Sequence, residues 1–65
     1  MSRFLYVQEK DLDRCERALL AKVSITVTGL SRDGAAETVS GHIQSLRKRQ
    51  SAFEGYPALI VIRPN

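Results

Sequence analysis

A small α/β domain of βαβαβ type, with a three-stranded sheet and two helices, is the architecture that the apolar spacing of these 65 residues predicts. Three observations lead there. Two segments, "RFLYV" and "VSITVTG", have strand-forming residues at strand spacing, and "PALIVIRP" is a continuous apolar run. Between them lie two stretches whose apolar residues recur three and four apart. The chain is long enough for one domain, residues 1–65, with a core of modest size.

The first strand, about residues 3–7, is aromatic and β-branched. The period then changes. Leu12, Cys15 and Leu19, with Ala18 beside them, form one apolar stripe, predicting a helix over about 11–21. Asp11 is placed to cap it, and Asp13 and Arg17 form an i,i+4 pair of favourable order. A second strand, about 23–29, alternates Val23, Ile25 and Val27 with Ser24, Thr26 and Thr28. The last, about 58–63, has no polar alternation from Leu59 to Ile62 and so should be covered on both faces. Helices on opposite sides, or a second copy making a homodimer through the sheet face, would provide that cover.

The middle of the chain admits two readings. Ala36, Val39, Ile43, Leu46, Gln50 and Phe53 step by threes and fours, with Gln50 alone breaking the apolar line; Asp33 can cap, Gly55 can end the segment and Pro57 stops it. This predicts a helix over about 34–54. The alternative is an α+β fold, an N-terminal helix plus a small hairpin-based antiparallel sheet or barrel. A three-residue loop, Arg32-Asp33-Gly34 with Gly34 left-handed, would pair Val27 with Val39, Ile25 with Gly41, Val23 with Ile43 and Thr26 with Ser40. Thr38, Val39, Ser40 and Gly41 are poor helix formers, which favours the hairpin. The helix accounts for more of the chain, because the hairpin strands "SLRKRQSAFEGY" in a long loop.

Composition argues against most chemistry. One cysteine and one histidine are too few for an internal disulfide or a Cys/His metal cluster. His42 has no triad setting in "VSGHIQS", and Cys15 lies on the apolar stripe as a small hydrophobe. "GLSRDG" has the glycines of a phosphate loop, but Ala35 and Ala36 stand where Lys and Ser/Thr should follow. The carboxylates of "QEKDLDRCER" alternate with basic residues as a solvated helix face. No enzyme, cofactor or metal is expected. No apolar run approaches the ~20 residues of a membrane span, so no membrane and a cytoplasmic location are expected.

What is left is charge. Ten basic residues against seven acidic give +3, which favours polyanionic partners. Arg47, Lys48 and Arg49 would span the outward side of the predicted second helix, with His42, Arg32 and Arg63 as neighbours. Tyr56 could supply a stacking or anchoring ring. The sequence thus predicts a small non-enzymatic regulator docking through a basic helix onto nucleic acid or a nucleoprotein. Two other readings fit the same residues. One is a protein-binding inhibitor or adaptor of the kind that mobile elements and phages encode; the other is a structural homo-oligomer subunit.

Overall fold

The computed structural model describes residues 1–48 and 53–65. Among them the order is β1 (Arg3–Val7), α1 (Glu9–Ala21), β2 (Ser24–Leu30), β3 (Ala36–Lys48) and β4 (Ala58–Pro64). The strands close an antiparallel barrel in the order β1-β2-β3-β4, with β4 returning to β1. This is a small α+β fold, and it corrects the expected three-stranded βαβαβ sheet with two helices. Residues 36–48 of the predicted second helix are strand β3, and residues 49–52 of it lie outside the described residues.

The reason lies in one extra residue. In a strand, a four-residue step keeps a side chain on its face and a three-residue step reverses it. Val39 to Ile43 is four, and both are buried; Ile43 to Leu46 is three, and Leu46 still packs on the core. A β-bulge between Ile43 and Ser45 absorbs the odd residue. A bulged strand therefore reproduced the three-four rhythm of a helix. The hairpin alternative is what the chain adopts: Val27 pairs with Val39, Ile25 with Gly41 and Thr26 with Ser40. Its loop is closed by Gly34 N–H donating to the Ser31 carbonyl at 2.9 Å, with Gly34 left-handed at φ 83°.

Two other glycines permit the barrel to close. A Cβ on Gly29 would stand 2.5 Å from the Tyr6 carbonyl oxygen, and one on Gly41 2.0 Å from that of Arg63. Both mark places where one strand's backbone crosses close to another. Inside lie Leu5, Val7, Val27, Ile60 and Ile62, all essentially inaccessible, each contributing about 1.5–3 kcal/mol of burial.

Helix α1 packs on the barrel mainly against β3 and less against β2. Cys15 and Ala18 are buried, with Leu12 and Leu19 partly so, as their spacing requires. The helix begins at Glu9 after Gln8, which makes no side-chain cap bond, so Asp11 is not the cap; it sits within the first turn, 3.2 Å from Arg14. Lys22 ends the helix in the left-handed region, and Val23 N–H reaches the Ala18 carbonyl. Burial pushes the Cys15 thiol above its ordinary pKa; the Asp11 charge adds to the rise and Arg14 opposes it. Among the described residues no helix is long and apolar enough to cross a membrane.

Candidate nucleic-acid interface

Strand alternation sends one set of side chains into the core and the other outward. On β1 and β4 the inward set is Leu5, Val7, Ala58, Ile60 and Ile62. The outward set is Phe4, Tyr6, Leu59 and Val61, which is unusually apolar for an exterior face. Leu59 and Val61 are half-buried, so within one chain the cover on the outer side of this strand is partial.

Register assembles the face in rows. Phe4 lies opposite Val61, and Val61 opposite Ser45; Tyr6 lies opposite Leu59, and Leu59 opposite Arg47. In the next row His42 pairs with Arg63. The bulge decides this arrangement, because after Gln44 it is the odd-numbered residues of β3, Ser45 and Arg47, that turn outward with Val61 and Leu59. Without the extra residue Leu46 would point to solvent, and Arg47 would be driven toward the core.

Phe4 is 47% exposed and forms a ridge. On one side lies a groove of about 250 Å³ lined by Phe4, Ser45, Arg47, Leu59 and Val61. On the other the Arg32 guanidinium, carried by the hairpin loop, stands 5.7 Å from the ring centroid in cation–π contact. Beyond it an open cleft includes Arg3 and Glu37, which are paired with each other, and Asp33. Tyr6 is steadied by an edge-on contact with Phe53, centroids 5.3 Å apart. Among the described residues no carboxylate pairs with Arg32, Arg47 or Arg63.

The structure thus brings Arg32, Arg47, Arg63 and His42 to one face, but on strands and a loop rather than on a helix. Lys48 turns away and lies 3.6 Å from Glu16 of α1. Arg49 is outside the described residues. Tyr56 precedes β4, half-buried, with its N–H on the Phe53 carbonyl, and does not line the groove. Sequence reasoning missed Phe4, Tyr6, Ser45, Leu59 and Val61. The signal was present in "RFLYV" and "LIVI", which are apolar on both alternating faces although only one face can enter a small core.

Among the described residues no three His, Cys, Asp or Glu side chains converge as a metal site would require. No protein-family model, curated protein or solved structure matches the chain.

Proposed function

We propose that the protein is a small non-enzymatic module that binds single-stranded nucleic acid across the outer β4–β1 face. One observation carries this reading: an exposed aromatic ring, Phe4, stands between two guanidiniums, Arg32 and Arg47, that pair with no carboxylate among the described residues, on a sheet surface floored by Leu59 and Val61. Bases stack on such rings whatever their identity, and arginines neutralise the phosphates between them. Duplex bases keep their faces covered by stacking, so single strands are the favoured form. Arg63, one row further, extends the cationic track, with His42 paired beside it.

Fluorescence anisotropy with labelled twelve-nucleotide oligo(dT), oligo(rU) and a duplex of equal length tests this. Binding to the single strands is expected to weaken with salt, with a log–log slope of about −2 for three phosphates neutralised. Arg47→Gln should lower the slope by about 0.7 while leaving far-UV circular dichroism unchanged. Absence of binding at 50 mM salt, or a preference for the duplex, would sink the reading.

A further inference from the structure

The loop between β2 and β3 closes without the help of its aspartate. Ser31 does the closing: its N–H donates to the Ala35 carbonyl at 2.8 Å, its carbonyl accepts from Gly34 N–H at 2.9 Å, and its hydroxyl accepts from Ala35 N–H at 3.3 Å. An aspartate in a turn ordinarily bonds a nearby backbone N–H. Asp33 makes no hydrogen bond or ion pair among the described residues. It lines the open cleft of about 600 Å³ that also takes in Phe4 and Arg32. Of the other charged side chains there, Arg3 and Glu37 are paired with each other, and Arg32 lies against the Phe4 ring. Among the described residues Asp33 is therefore the carboxylate of this cleft that no cation pairs with.

We infer that this cleft receives one guanine base of the bound single strand and that Asp33 selects it; this rests on the single-strand reading of the β4–β1 face and adds a base preference to it. The Arg32–Phe4 pair supplies the stacking surface, since bases stack on guanidinium planes as well as on rings. The N–H groups of Arg32 lie in that plane and stay available to a phosphate at its edge. The carboxylate decides what faces it. Ionised, it only accepts hydrogen bonds and it repels phosphate, so it must meet donors on a base edge. A base splayed out of a single strand exposes its Watson–Crick edge. On that edge guanine alone offers two neighbouring donors, N1–H and the 2-amino group, which match the two carboxylate oxygens in a bidentate pair. Adenine and cytosine set one amino group beside a ring nitrogen that is itself an acceptor. Thymine and uracil hold one N–H between two carbonyls, and those oxygens are repelled. Discrimination from one bidentate pair is on the order of tenfold.

The test is anisotropy with labelled twelve-nucleotide oligo(dT) carrying guanine, hypoxanthine, adenine or cytosine at one central position. Guanine should tighten binding about tenfold over unsubstituted oligo(dT). Hypoxanthine, which lacks the 2-amino group, should lose most of that gain. Adenine and cytosine should stay within about twofold of oligo(dT), because stacking alone tolerates any base. Asp33→Asn, a change that turns accept, should erase the guanine preference without weakening oligo(dT) or altering far-UV circular dichroism. Oligo(dT) binding with no preference for guanine, or a preference that survives Asp33→Asn, would overturn the inference and leave the single-strand reading standing. No binding to any of these strands would overturn both. If Asp33→Asn instead lowers affinity for oligo(rU) relative to oligo(dT), the carboxylate reads the ribose 2′-hydroxyl and the inference falls.

Discussion

The two outer faces of this barrel lie over one core yet are built from opposite materials. On β2–β3 the outward residues are hydroxyls that satisfy one another: Thr26 with Ser40 at 2.7 Å, Thr28 with Thr38 at 2.8 Å, and Ser24 accepting from the Asn65 amide at 3.1 Å. On β4–β1 they are Phe4, Tyr6, Leu59 and Val61, fringed by Arg32 and Arg47. Neither set belongs to the buried core, which the interior residues of all four strands form. The neutral face closes its hydrogen bonds within itself and so offers a ligand little. The other leaves apolar area and positive charge open to solvent, and that difference is why the proposed binding is assigned to it.

The harshest way to break the comparison is to remove both faces at once through the corner they share. Gly41→Ala places a methyl group against the Arg63 carbonyl, where backbone rather than a flexible side chain must yield. A loss of about 3 kcal/mol or more is expected in urea denaturation, among the larger effects of a single substitution. On an exposed helix the same change would have stabilised by up to about 1 kcal/mol. A variant as stable as the parent would show that Gly41 is no barrel corner.

That residue also shows what the sequence held and what it hid. The propensities of Thr38, Val39, Ser40 and Gly41 spoke for a strand, and the register of Val27 with Val39 was derivable from the loop alone. The period argued the other way because the bulge at Gln44 displaced Leu46 by one and because Ala36, an exposed residue, fell in step with the buried ones. A local insertion of this kind leaves no mark in spacing that distinguishes it from a helical turn. The site suffered for the same reason. Arg32, Arg47 and Arg63 were visible as charges and His42 as a polar residue beside them, but their grouping with Phe4 depends on pairing between β1 and β4, more than fifty residues apart in the chain. Helix α1 was legible because its stripe is local, although its cap was not.

A sharper cut separates the faces. Phe4→Ala removes a ring that is half in solvent, so stability should change by no more than about 1 kcal/mol, while stacking worth about 1–3 kcal/mol per base is lost. In anisotropy this is a weakening of roughly 5- to 150-fold, with the salt slope kept because the arginines are untouched. Retained affinity would remove Phe4 from the site and leave the face purely electrostatic.

The smallest effect belongs to the neutral face. Thr38→Val deletes one hydroxyl, but its partner on Thr28 is exposed and can turn to water, so no buried group is left unsatisfied. Valine is at least as good a strand former, and stability should stay within about 0.5 kcal/mol of the parent. Oligonucleotide affinity should not move, because Thr38 neither lines the groove nor contacts Phe4. If Thr38→Val weakened binding as much as Phe4→Ala, the ligand would have to cover both faces. The contrast between self-satisfied hydroxyls and an open aromatic ridge would then not be what selects the binding surface.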